Sequence, residues 1–432
     1  MKKRFIFILC GLFLCAGTIA ATDYNALQQG AVGDGKTLNT QSLQSAIDAL
    51  HAKGGGQLYF PAGRYLTGSL QLKSNVTLYL EKEAVLLGST SPYDYPGFST
   101  EKELKVNNDH FDQALIYVEG AENIDITGEG CIDGQGRELA LTIDSLHHTG
   151  ELVDKHYNTY RKRPNTRPKL LFMRNCRKVE LRKTNFRSGA AWGLSFSLCA
   201  DLTIDSLHVE NRAYWNNDGI DISDCKEVRI SNCFINSADD GICLKSHNRG
   251  AWNDRVSISN CHIISSASAI KFGTESLGGF KNVTIDNIRI KDTFRSAIAI
   301  ESVDGAEIEN VKLENIEIVC PGRATRGMAY MSVSRLKDVP ENEKGYPEFT
   351  MFEELPSWGF YVRHVKGIQM HNVKLRLQED DFRPAFVFDR VSDVRLSDIS
   401  LPENKKAGQV VLRQTSLQSA DNAVKEYVRE VE

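Results

Sequence analysis

Val179-Glu180-Leu181, Leu202-Thr203-Ile204, Val228-Arg229-Ile230, Val256-Ser257-Ile258 and Val283-Thr284-Ile285 repeat one apolar–polar–apolar pattern at intervals of 23 to 28 residues. Alternation with a period of two on β-branched residues reads as a strand with one face buried. The triplet also occurs upstream, at Val76-Thr77-Leu78 and Ile124-Asp125-Ile126. Downstream copies are Ile308-Glu309-Asn310, Ile368-Gln369-Met370 and Val394-Arg395-Leu396. A fixed period of this length, with Asn- and Gly-containing turns between strands, marks a solenoid. One coil cannot bury its apolar face alone, so stacked neighbours build a continuous core. The expected architecture is all-β, a single-domain right-handed parallel β-helix over 22–432.

A solenoid needs closed ends. In Thr40 to Ala52, Leu43, Ala46, Ile47 and Leu50 share one helical face, and Gly54-Gly55-Gly56 stops the helix. This is read as the capping helix of an N-terminal cap over about 22–65. The charged stretch 402–432 is expected to form a C-terminal cap or tail. Arg137–Arg167 and Gly322–Gly359 interrupt the repeat and are expected to be loops over the lateral groove.

The basic residues Lys2, Lys3 and Arg4, the apolar run Phe5–Leu14 and the small residues up to Ala21 are the parts of a secretory signal. Residues 1–21 are therefore read as a signal peptide, and the mature chain as periplasmic or secreted. No later stretch approaches the roughly 18 apolar residues of a membrane span. The formal charge of −4 becomes −7 without the leader, which argues against a nucleic-acid partner. Eight cysteines follow the leader, with no CxxC pair and no Cys/His metal spacing. No metal or other cofactor is expected. Asn175-Cys176, Asn232-Cys233 and Asn260-Cys261 suggest small buried residues stacked in one ladder rather than disulfides. A monomer is expected.

Two acidic stretches about one period apart carry the chemistry: Asn216-Asn217-Asp218-Gly219-Ile220-Asp221 and Ser237-Ala238-Asp239-Asp240-Gly241. On stacked coils they place several carboxylates on one face. Cleavage of a glycosidic bond needs such a pair, one carboxyl as general acid and one to activate water. Asp and Asn are also common turn residues, and Asp221 and Asp224 are read as such. Asp218, Asp239 and Asp240 are the candidate catalytic group.

From Gln28-Gln29-Gly30-Ala31-Val32-Gly33-Asp34-Gly35 through the capping helix to about Ser302, the chain resembles glycoside hydrolase family 28, the polygalacturonase-like pectin hydrolases. The specific part is the Asn-x-Asp run at Asn216–Asp218, followed by Asp239-Asp240-Gly241-Ile242-Cys243-Leu244-Lys245-Ser246. Arg167-Pro168 and the Trp192 segment also fall where that family has similar residues. The resemblance implies Asp239 as general acid, Asp218 and Asp240 as the pair that activates water, and inversion at the anomeric carbon.

Two departures bear on substrate. Where the family has a histidine in Gly-His-Gly, Ala267-Ser268-Ala269 stands here. Where it has an Arg-x-Lys that grips a galacturonate carboxylate, Ala299-Ile300-Glu301 stands here, and a glutamate repels that group. The expected substrate is a pectic polysaccharide or oligosaccharide closer to rhamnogalacturonan than to homogalacturonan. Lys271, Glu275, Glu301, Lys245, His247, Arg249 and Trp215 are the candidate substrate-binding residues. Lys271 and Lys245 would hold an acidic sugar, Glu275 and Glu301 would take sugar hydroxyls, His247 would stand in for the absent histidine, and Trp215 would be a sugar platform. The alternatives are a β-helix polysaccharide lyase and a catalytically inactive carbohydrate-binding solenoid.

Overall fold

Strand after strand pairs in parallel with the strand one coil earlier, as the repeat requires. The computed structural model describes residues 22–96, 113–151, 167–302, 305–323, 333–339, 355–402 and 408–432. The leader 1–21 and parts of both interruptions lie outside the described residues. Each central coil contributes three strands, as in Leu194–Ser197, Ala200–Asp205 and His208–Asn211. The result is a right-handed parallel β-helix. Its second sheet stacks Ile124, Val179, Leu202, Val228, Val256, Val283, Val311, Ile368 and Val394 in one register column. The triplets are thus true repeats with one correction. Val311-Lys312-Leu313 is the copy in register, whereas Ile308 pairs with Phe280 before the left-handed bend at Asn310.

Asparagine makes the bends stackable. Asn232, Asn260, Asn287, Asn315 and Asn372 occupy successive levels of one turn, all with φ between 50° and 56°. Their side-chain amides bond along the column, from Asn260 to Asn232 (3.2 Å), Asn287 to Asn260 (2.8 Å) and Asn372 to Asn315 (2.7 Å). Asn tolerates this left-handed region better than other residues with a Cβ.

The cysteines correct the expectation of one ladder. All eight are free, and five of them form two stacks in different turns. Cys176, Cys199 and Cys225 follow one another in the first, and Cys233 lies one coil from Cys261 in the second. Both stacks are buried.

At the N-terminal end, helix α1 (Thr40–Ala52) buries Leu43, Ala46, Ile47 and Leu50, as its periodicity demands. Gly55 follows at φ +127°, where a Cβ would meet the Asn75 carbonyl oxygen at 2.4 Å. The first interruption is not simply a loop. Gly136–Thr149 is a second helix, α2, whose Leu139, Ala140 and Ile143 are buried and whose end is capped by Gly150 in the left-handed region. In the second interruption, the 3₁₀ turn Val333–Asp338 brings Leu336, with Val339 and Leu355, onto Ala299, Tyr361, Val387 and Val411 of the first sheet. The C-terminal stretch is more regular than a tail. Val410–Arg413 and Val428–Val431 continue the parallel pairing to the end of the chain.

Candidate active site

The strand Ile220–Ser223 pairs with Ile242–Ser246, with Ile220 opposite Ile242. Two residues before each partner stand Asp218 and Asp240, and the Gly219 N–H donates to the Asp240 carbonyl at 2.9 Å. Stacked strands lie about 4.8 Å apart, so these residues are neighbours by register. Buried asparagines fix the approach. The Asn211 amide donates to the Asp218 carbonyl (2.7 Å), and the Asn217 amide donates to the Gly189 and Ala191 carbonyls (2.9 and 2.6 Å). Asp239 lies on the turn beside them, half-buried, with its Oδ1 accepting from the Asp240 N–H at 3.0 Å. Its carbonyl is held by the Ser237 and Ser265 hydroxyls (2.8 and 2.6 Å).

The acids differ in what surrounds them. Asp240 is buried, and its oxygens accept from Lys271 Nζ (3.0 Å) and the Ser268 N–H (3.2 Å). Burial pushes its pKa up, but Lys271, with Arg295 and Lys245 behind it, outweighs burial and holds the carboxyl below its ordinary value. Asp218 goes the other way. Burial, reinforced by the charges of Asp221 and Asp239, raises it well above the usual range. Among the described residues its Oδ1 has no hydrogen-bond partner, and Lys245 Nζ stands 4.0 Å from its Oδ2. The cluster therefore favours a proton on Asp218 over one on Asp240.

Asp221 is not the turn residue its sequence suggested. It lies inside a strand, fully buried, with Lys245 Nζ 3.7 Å away. Burial raises it to about 6, against the pull of Lys245 and Lys169. Asp224 does serve the backbone, accepting from the Ser246 hydroxyl (2.6 Å) and the His247 and Asn248 N–H groups (3.0 and 3.1 Å).

Several proposed sugar contacts are internal. Lys271 (0% exposed) and Lys245 (3%) neutralise buried aspartates and do not face an open groove. Lys245 also lies over the Trp192 ring, 4.6 Å from its centroid, and Lys169 lies over the same ring at 4.7 Å. Lys169 is a buried cation of the cluster that the sequence reading missed. Its only signal was its position just after Arg167-Pro168. Glu301 is fully buried too, in register with Arg363, Asp389 and Arg413, an alternating column in which Asp389 accepts from Arg363 (3.3 Å) and Arg413 (2.8 Å).

The outer candidates lie on the rim. A register shift after Leu244 sets Glu275 near His247, whose Nδ1 is 3.0 Å from Glu275 Oε2, an ion pair when the imidazole is protonated. His247 is thus held by Glu275, and it is Ser268, fully buried with an unbonded hydroxyl, that lies against Asp240. Arg249 is exposed on the following turn. Trp215 is 70% exposed. Its loop is pinned by Arg167, which donates to the Trp215 carbonyl (2.6 Å) and to Asn216 Oδ1 (3.2 Å) and lies over the Tyr214 ring. Arg295 is a second cation that the sequence reading missed. It lies in the turn before Ile298, two coils beyond Asp239, and no motif marks it.

A carboxylate cluster on one face of a parallel β-helix is an arrangement that suits acid–base cleavage of a glycosidic bond. Residues 56–320 match the family model of Glycosyl hydrolases family 28, and the chain belongs to that family. It is 30% identical over 299 residues to a "Probable polygalacturonase" of Vitis vinifera, covering 65% of this chain and 55% of that protein. It is 28% identical over 248 residues to an "Exo-poly-alpha-D-galacturonosidase" of Dickeya chrysanthemi, covering 50% and 41%. The chain thus spans about half the length of the curated relatives it matches. The family 28 exopolygalacturonase structure from Yersinia enterocolitica superposes with a TM-score of 0.66 at 20% identity, over 95% of this chain and 77% of that one. At that identity the likeness speaks for the fold.

Proposed function

We propose that the protein is a secreted, inverting glycoside hydrolase that cleaves α-galacturonosyl-type linkages in pectic polysaccharides or oligosaccharides. The observation that carries this reading is the stacking of Asp218 on Asp240 with half-buried Asp239 at their side. Family membership and the names of the matching relatives support the same substrate class. Asp240, kept ionised by Lys271, is the base that takes a proton from the attacking water. Asp239, the most accessible of the three, protonates the leaving glycosidic oxygen. Asp218 completes the water site and shares the cluster's proton, so the three titrate as a unit and not as separate groups. Inversion requires the water to enter opposite the leaving group, between an acid and a base about 6.5–9.5 Å apart.

A backbone alternating galacturonic acid and rhamnose is the reading we favour over pure galacturonan, because Ala299-Ile300-Glu301 stands in place of the Arg-x-Lys with which the resembling enzymes grip a galacturonate carboxylate. The test is incubation of the purified protein with homogalacturonan, rhamnogalacturonan and their oligomers. The released ends are then identified and the anomer first formed is followed by NMR. The β-anomer from the α-linked rhamnose-containing backbone is the expected product. Release of galacturonic acid from homogalacturonan with no preference for that backbone would refute the substrate assignment, and an α-anomer would refute inversion. No turnover by wild type, with undisturbed sugar binding, would leave a binding protein.

A further inference from the structure

Two large aromatic side chains stand exposed on the rim that carries Asp239: Trp215, at 70% exposure, and Phe294, at 57%. A single exposed aromatic carries no message. These two share a construction. Each lies in a turn leading into a strand of the first sheet, and each has its own carbonyl oxygen bonded by a buried arginine. Arg167 donates to Trp215 O at 2.6 Å, and Arg383 donates to Phe294 O at 3.5 and 3.4 Å. Arg383 is itself locked by two bonds to buried Asp381, at 3.0 and 2.9 Å. The aromatic rings are thus presented to solvent on anchored backbone.

Their placement brackets the acid. The partners Ile242, Ile270 and Ile298 stand one coil apart, and three residues before them come Asp239, Ala267 and Arg295. Arg295 is half-buried, its N–H donates to the Ala267 carbonyl (3.4 Å), and only the small Ala267 separates it from Asp239 along the column. Trp215 belongs to the coil before Asp239 and Phe294 to the second coil after it. Seven positions lead from Asn211 to Asp218, against three from Ser237 to Asp240, although Asn211 and Ser237 are partners. The extra length pushes the Trp215 turn outward.

We infer that Phe294 and Arg295 form a sugar subsite on the far side of Asp239 from Trp215 and that it takes a uronosyl residue, its ring against Phe294 and its carboxylate on Arg295. The inference rests on the hydrolase reading and adds to it the position of the acidic sugar. Planar guanidinium suits a carboxylate, and an aromatic face suits the C–H side of a sugar ring. With Lys245 and Lys271 buried against aspartates, Arg295 is, among the described residues, a half-buried rim cation two coils from Asp239.

The test compares wild type, Arg295→Ala, Arg295→Lys, Phe294→Ala and Phe294→Trp on a galacturonic acid–rhamnose tetrasaccharide and on the same compound with its carboxyl groups reduced to alcohols. Arg295→Ala should lose about 10–100-fold in kcat/KM on the acidic compound, mainly through KM, and change little on the reduced one. Arg295→Lys should recover part of the loss. Phe294→Ala should weaken both compounds by similar factors, and Phe294→Trp should restore them. Equal losses on both compounds for Arg295→Ala would mean that it acts only through Asp240, and would overturn the inference, as would unchanged KM in either alanine variant. If wild type turns over neither compound, the hydrolase reading fails. Calorimetric titration of the same proteins with the same compounds then decides the subsite, and an Arg295→Ala affinity that falls equally for both, or not at all, overturns it.

Discussion

Lys271 has no exposed surface, and Asp240 3.0 Å away gives it an opposite charge, so removing either leaves the other buried with less compensation. In Lys271→Met the largest influence lowering Asp240 is gone while burial remains. The carboxylate that must be ionised as base then needs a higher pH. The acid limb of the kcat/KM profile should move up by about 1–3 pH units, measured on protein whose folding is checked by circular dichroism. An unmoved limb would mean that Asp240 is not the base. Asp221 makes a prediction of opposite sign. Its folded pKa, about 6, lies above its ordinary 3.8, so its protonated form is favoured by folding and that contribution is lost as pH rises through 6. Asp221→Asn should therefore gain stability relative to wild type between pH 4 and pH 7, by up to about 3 kcal/mol, in denaturant titrations at both pH values.

Among elements, the asparagine column and the charged column do the same job by different means, keeping successive coils in register. Asn260 supplies both a left-handed bend and amide bonds to its neighbours above and below. Asn260→Val forces a β-branched residue into that bend and should cost about 1–3 kcal/mol in thermal or urea unfolding, with Asn260→Gly costing less. Equal losses for the two variants would assign the effect to the lost amide bonds alone. Asp389 lies fully buried between Arg363 and Arg413, so Asp389→Ala removes the carboxylate that both buried guanidinium groups bond. The expected loss is about 3–5 kcal/mol by the same unfolding measurements. The periodicity revealed both columns as positions but not their pairing. Asn310 was placed in a strand triplet although it makes the bend, and Glu301 was assigned to the groove although it is fully buried in a column with Arg363, Asp389 and Arg413.

For the whole molecule, length along the axis replaces a disulfide framework. The interior is one continuous run of stacked aliphatic side chains from α1 to Val428, and each coil's apolar face is covered by its neighbours. Free cysteines fill small positions in that stack. A reducing agent should leave the unfolding midpoint unchanged. Alkylation of denatured, unreduced protein should modify Cys131, Cys176, Cys199, Cys225, Cys233, Cys243, Cys261 and Cys320, as read by mass spectrometry. Any of these found resistant until reduction would contradict a structure in which all eight are free thiols.

Sequence by itself determined the coil, the capping helix and the meeting of Asp218, Asp239 and Asp240, because parallel stacking turns a distance of one period into a spatial contact. It could not determine which outward side chains meet water. Asp221, Lys245, Lys271 and Glu301 all sit on outward strand positions, yet all are buried, because what lies over a β-helix face comes from segments of irregular length elsewhere in the chain. The tertiary structure alone sets the pKa of Asp218 and Asp240 in opposite directions, since burial and the ammoniums of Lys271 and Lys245 act across coils. The same holds for Arg295, brought to the rim beside Asp239 by two turns of the solenoid.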